Sequence, residues 1–92
     1  MKRIERKLFR IGDEIESLQR AEQLAIEELN YHEHLNDDTQ RDAAISGNPI
    51  DRADARETAS DVARFERYID RLRDRRERLE AKRMALLGRI ND

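Results

Sequence analysis

Apolar residues recur in the first third of the chain at alternating steps of four and three residues. The run is Ile4, Leu8, Ile11, Ile15 and Leu18. Steps of this kind place side chains along one stripe of an α-helix, as in the seam of a coiled coil. The same register continues through Glu22, Ala25, Leu29 and His32. The periodicity therefore predicts a first long helix over about residues 2–45.

The second half of the chain carries a stripe with the same spacing, which predicts a second helix over about residues 49–90. Its positions are Ala55, Thr58, Val62, Phe65, Ile69, Leu72, Arg76, Leu79, Arg83, Leu86 and Ile90. Two helices with one apolar stripe each bury those stripes by packing together. We expect one all-α domain over residues 1–92, a long antiparallel helical hairpin that dimerises into a four-helix bundle or stays a monomer. The register pairs Leu8 with Leu86 and Ile15 with Leu79.

The segment between the two stripes, residues 46–48, predicts the turn. Gly47 can take the left-handed conformation that closes a helix. Asn48 can cap the next helix, and Pro49, the only proline, suits the first helical position because its missing N–H costs nothing there. Asp51 falls in the first turn of the second helix, where a carboxylate meets the positive end of the helix dipole.

Two places interrupt the apolar pattern. Glu22 is a charged residue on the first stripe, and Arg76 of the second stripe is the candidate for an ion pair with it across the helices. Asn36-Asp37-Asp38 are poor residues for a helix interior. We expect the first helix to continue through this weak segment to Ile45.

The composition fits a thin helical protein, with 43% charged and 37% apolar residues and few glycines or prolines. Residues 13–33 hold seven acids and one base, a net charge of −6, and residues 64–83 hold nine bases and five acids, a net charge of +4. An antiparallel hairpin sets these segments side by side. The basic run is therefore explained as a complement to the acidic one, and direct DNA binding is not expected.

Several classes of protein are disfavoured. The chain has no Cys, so it forms neither disulfides nor thiolate zinc sites. It holds no apolar run of 18 residues and no apolar signal segment after its basic start, so we expect no membrane association and a soluble, cytoplasmic protein. His32 and His34 point about 200° apart on a helix and do not make a metal site. No catalytic constellation is present, and neither enzymatic activity nor a cofactor is expected.

One basic cluster is not obviously neutralised by the second helix. It comprises Lys2, Arg3, Arg6, Lys7 and Arg10. Such a cluster can contact an acidic partner or RNA, although a solvated helix end is the simpler interpretation.

The run from Gln40 to Ala53, with its Asn-Pro-Ile-Asp-Arg-Ala ending, resembles the tip of the DksA/TraR family of proteins that bind bacterial RNA polymerase. The charged helix that follows, to about Leu79, is similar to the family's second coiled-coil helix. The resemblance implies a hairpin that enters the polymerase's secondary channel and regulates transcription without catalysis. Gre-type transcript-cleavage factors, which use the same channel, match less well.

The resemblance also implies which tip residues bind the polymerase: Asn48, Ile50, Asp51, Arg52, Ala53, Asp54 and Glu57. Asp51 matches the second tip acid of the family and Ala53 the small residue after it. Asn48 takes the place of the first tip acid and brings no charge. The family's four-Cys zinc finger has no counterpart among these 92 residues.

An alternative function needs no polymerase. The chain can be a structural or protein–protein interaction coiled coil that self-associates through its seam. Leu24 and Ile26 lie off the seam and indicate a second apolar contact.

Overall fold

The computed structural model describes residues 2–91, and the side chains of residues 2–90. Two helices make up almost all of this part, α1 over Arg3–Ser46 and α2 over Pro49–Asn91. They pack against each other as a hairpin, without strands in the described residues, as the sequence predicts. Helix α1 is continuous through Asn36-Asp37-Asp38, which confirms the prediction for that segment.

Two compact units each contain a segment of both helices. The terminal unit comprises Met1–Gln23 with Asp70–Asp92, and the turn unit comprises Leu24–Ile69. In both units the buried stripe is the one that the four-three spacing predicts. The buried apolar residues are Ile11, Ile15, Ala25, Ala55, Ile69 and Leu86.

The core of the terminal unit is a single cluster around Ile11, Ile15 and Leu86, against which Leu8 and Leu79 pack. The predicted partners Leu8 and Leu86 thus belong to the same cluster, as do Ile15 and Leu79. Most other seam residues are only half-buried because a stripe packed against one neighbouring helix keeps its edges in water. Burial does not extend to the last position of the predicted stripe, because Ile90 is 48% exposed.

The second apolar contact predicted from Leu24 and Ile26 does not form one surface. Leu24 is 64% exposed, whereas Ile26 is half-buried. Residues two apart on a helix point about 200° away from each other, so these two side chains lie on different faces. Of these two residues, Leu24 is the one whose side chain is exposed enough to contact a partner.

Candidate partner-binding tip

Gly47 ends helix α1 in the way its sequence predicts. Its φ is 62°, and its N–H donates to the carbonyl of Ala43 at 2.9 Å. That φ lies in the left-handed region, where a Cβ would be strained. The chain thereby leaves α1 and begins α2 after only Gly47 and Asn48.

Asn48 caps helix α2. Its side-chain Oδ1 accepts a hydrogen bond from the backbone N–H of Asp51 at 2.8 Å, and its carbonyl accepts one from the N–H of Arg52 at 3.1 Å. Pro49 is the first helical residue, where no intrahelical partner for an N–H exists. The predicted cap and helix start are both confirmed.

Asp51, the acid that the resemblance singles out, is half-buried and holds the turn together. Its carboxylate accepts a hydrogen bond from the hydroxyl of Ser46, the last residue of α1. The Ser46 oxygen in turn accepts the backbone N–H of Asn48 at 3.3 Å. The turn therefore fixes the direction of the Asp51 carboxylate, and one of its oxygens is used in the hydrogen bond with Ser46. The sequence did not predict this role of Ser46.

The surface of the tip is apolar at two points. Ile45 is 80% exposed and Ile50 is 73% exposed, the two highest values among the large hydrophobic residues that the structure describes. The other predicted tip residues are also exposed: Arg52, Ala53, Asp54 and Glu57. Ile45 was missed as a candidate. The signal for it is an aliphatic residue off the seam, directly before the turn.

A layer of polar side chains joins the two helices behind the tip. The hydroxyls of Thr39 and Thr58 lie 2.6 Å apart, and the Thr58 hydroxyl also lies 3.1 Å from Oδ1 of Asn36. The Gln40 side chain donates to the carbonyl of Ala55 at 2.9 Å. Four hydrogen-bonding side chains at the seam fix the register of the tip, because a slip would leave them without partners. The layer was not predicted.

Glu22, in the terminal unit, is the one buried charged residue among those described. The guanidinium of Arg76 donates to both of its oxygens, Nε at 2.5 Å and Nη2 at 3.1 Å, which confirms the predicted pair. The hydrogen bond from Arg76 holds the pKa of Glu22 below its usual value, although burial opposes the shift. The same bond raises the pKa of Arg76. A carboxylate so fully paired serves the fold and is not a candidate catalytic group.

His32 packs into the seam, where its ring stacks on Phe65 with a centroid distance of 4.7 Å. Its Nε2 lies 3.8 Å from a carboxylate oxygen of Glu28. Within residues 2–91, no three His, Cys, Asp or Glu side chains are grouped so that they could hold a metal ion. In the same range, neither helix offers a stretch long and apolar enough to cross a membrane.

Comparison with protein-family models, curated proteins and solved structures finds no match to this chain. The resemblance to the DksA/TraR proteins therefore stays a prediction from the sequence, made on the run from Gln40 to Ala53 and the charged helix after it.

Proposed function

We propose that this chain is a non-enzymatic regulator of transcription that resembles the DksA/TraR proteins and acts through its tip in the secondary channel of bacterial RNA polymerase. The observation that carries the proposal is the exposure of Ile45 and Ile50 on either side of the turn. Aliphatic side chains that are exposed on both sides of the closed end of a hairpin are candidates for a surface that a partner covers.

The small size of the turn supports the proposal, because a narrow site can accommodate it. It is closed by two residues, and only two helices stand behind it, a width of roughly 20 Å. The hydrogen bond that Asn48 accepts from the Asp51 N–H fixes the backbone of the turn, and the one that Ser46 donates fixes the Asp51 carboxylate, before any partner arrives. A tip that is ordered in advance loses little conformational entropy on binding.

The tip residues then take distinct roles. Ile45 and Ile50 supply the apolar contact, and Asp51 presents a carboxylate whose direction is set by Ser46. Asp54 and Glu57, both exposed, add negative charge further along α2. Arg52 contacts the polymerase, and Ala53 keeps the tip slim.

The experiment is a pull-down of the purified full chain with bacterial core RNA polymerase. The wild-type chain is expected to bind, and Ile50→Gln to bind more weakly. Asp51→Asn, which keeps the size of the side chain, is expected to lose any effect on transcription when the same proteins are added to an in vitro transcription assay. Met84→Gln is the matched control, because Met84 is a 68% exposed apolar residue in the terminal unit. Absence of wild-type binding at micromolar concentrations would contradict the proposal.

The second candidate is the self-associating interaction coiled coil. It is favoured by large apolar residues that are exposed away from the tip, above all Phe9 and Leu24, each 64% exposed. A chain that does not bind the polymerase and self-associates through these exposed apolar residues would support this function. The tip variants would then leave association unchanged.

A further inference from the structure

A groove in the terminal unit is surrounded by cations. Arg3, Lys7 and Arg10 follow one another at helical spacing along α1, and Arg89 of α2 completes the rim. The apolar side chains of Ile4 and Leu86 also line the groove, which has a volume of about 330 Å³. The sequence showed the basic cluster on α1, but the contribution of Arg89 and the apolar lining emerge only from the fold.

These four cations have no ion pair with any residue that the structure describes. Arg3 stands at the N-terminus of α1, where the helix dipole disfavours a positive charge. The mutual repulsion of four clustered cations is a further cost. An anionic partner in the groove would relieve both.

Another side of the same helix segment has the opposite character. Phe9, which is 64% exposed, lies on a surface that three carboxylates and one cation line. The carboxylates are Glu5, Asp13 and Glu16 of α1, and the cation is Arg83 of α2, so the surface is acidic on balance. At 100° per residue, this acidic face lies about 130° around α1 from the basic rim.

The neutralisation of the acidic segment by the basic run of α2, as predicted from the sequence, is only partial. The ion pairs between the two segments include Glu14 with Arg75 at 3.6 Å and Glu22 with Arg73 and Arg76. Asp13 and Glu16 have no ion pair within the described residues. The terminal unit therefore carries an unpaired acidic face and an unpaired basic groove at once.

We propose that the acidic face of one copy of this chain binds in the basic groove of a second copy. Phe9 then covers the apolar lining formed by Ile4 and Leu86, and the three carboxylates meet the four cations of the rim. Because two different surfaces meet, the contact is heterologous, and copies can add head to tail. None of the tip residues takes part, so the proposal does not depend on the polymerase.

Complementarity points to a second copy as the occupant. An aromatic side chain among carboxylates complements an apolar groove among cations in charge and in polarity, and every molecule of the chain carries both surfaces. A single-stranded nucleic acid fits less well. It needs aromatic side chains on which bases stack, and none lines the groove.

The test is the molar mass of the full chain, measured by sedimentation equilibrium over a range of concentrations. The mass is expected to rise with concentration at about 0.05 M salt and to fall at about 1 M salt, where the Debye length shrinks to about 3 Å. A chain that stays monomeric at low salt up to high micromolar concentrations would overturn the proposal.

A charge swap tests the two surfaces. One variant carries Lys7→Glu with Arg10→Glu, and the other carries Asp13→Lys with Glu16→Lys. The first variant leaves the groove rim without net charge, because Arg3 and Arg89 face two introduced carboxylates, and the second variant turns the acidic face positive like the groove. Each variant is expected to associate at least about tenfold more weakly than the wild type. A mixture of the two is expected to regain association, because the first variant keeps the acidic face and the second keeps the basic groove. Association of either variant alone at wild-type strength, or a mixture that stays monomeric, would overturn the proposal.

Two single substitutions keep the test valid if a double variant loses helicity by circular dichroism. Phe9→Gln changes an exposed residue and is expected to weaken association by a similar factor. Met84→Gln changes an equally exposed residue of the same unit that lines neither surface. This variant is expected to associate as strongly as the wild type. Equal loss of association in both variants would contradict the assignment of the two surfaces.

Discussion

Arg76 holds the carboxylate of Glu22 with two hydrogen bonds, from Nε at 2.5 Å and from Nη2 at 3.1 Å. This pair occupies a layer of the seam in which apolar residues would otherwise meet. Nη1 of Arg76 also reaches Glu80 at 3.1 Å, and Arg73 lies 3.5 Å from Glu22. The pair therefore joins the two helices through a small network of charges within the terminal unit.

Removing one partner of this pair is expected to destabilise the protein more than removing both. Arg76→Met leaves the Glu22 carboxylate buried with only the longer contact to Arg73, and we expect the melting temperature to fall by about 5 °C or more. Glu22→Leu combined with Arg76→Met replaces the pair by apolar contact and should recover most of that loss. Arg78→Met, which removes an exposed pair with Asp74, is the control and should change little. Thermal unfolding followed by circular dichroism checks the order of the four proteins.

Stability is expected to fall in acid partly because of Glu22. Its pKa in the folded protein lies below the usual 4.5, so folding favours the ionised form. The stabilisation is complete above the unfolded-state pKa and is lost as the pH falls through the lower folded-state pKa. Urea unfolding at pH 7 and at about pH 3 should show a smaller loss of unfolding free energy in Glu22→Gln than in the wild type. Equal losses would show that the carboxylate contributes no acid dependence.

The polar layer behind the tip is expected to be energetically coupled. Thr58→Val removes the hydroxyl that meets both Thr39 and Asn36 and should cost about 1–2 kcal/mol of unfolding free energy. The double variant with Thr39→Val should cost less than the sum of the two single changes, since each single change already breaks the shared bond. Thr58→Ser keeps the hydroxyl and is the control. Additive costs in urea unfolding would mean that the layer is not coupled.

Two glycines are expected to respond oppositely to alanine. Gly47→Ala forces a Cβ into the left-handed region, at φ 62°, and should destabilise the fold by about 1–2 kcal/mol. Gly12 lies within α1, and an added Cβ there would have no heavy atom within 4 Å. Gly12→Ala should therefore stabilise the protein by about 0.5–1 kcal/mol. Urea unfolding measures both, and a shift of the same sign in both variants would contradict the conformation assigned to Gly47.

The sequence was sufficient for the seam and the turn because both follow local rules. The four-three spacing predicted the burial of Ile11, Ile15 and Leu86, and Gly47 with Asn48 predicted the stop and the cap. The Glu22–Arg76 pair was also predictable, since two charged positions on opposing stripes meet in the same register.

Other features depend on side-chain directions that the pattern does not specify. The sequence pattern marks Asn36 only as a weak helix residue, whereas the fold brings it to Thr58 of the other helix. The hydrogen bond between Ser46 and Asp51 can be predicted only when the backbone conformation of the turn is known. The basic groove could not be predicted either, because Arg89 reaches it only through the pairing of the helices.

The most direct test of the proposed function is competition for core RNA polymerase between this chain and an authentic secondary-channel factor. The wild-type chain is expected to displace the factor. Ile50→Gln should need about tenfold or more higher concentration, the cost of losing one buried aliphatic side chain. Met84→Gln should behave as the wild type. Failure of the wild-type chain to displace the factor would contradict a role in the secondary channel. If Ile50→Gln competed as well as the wild type, the tip would have no role in binding.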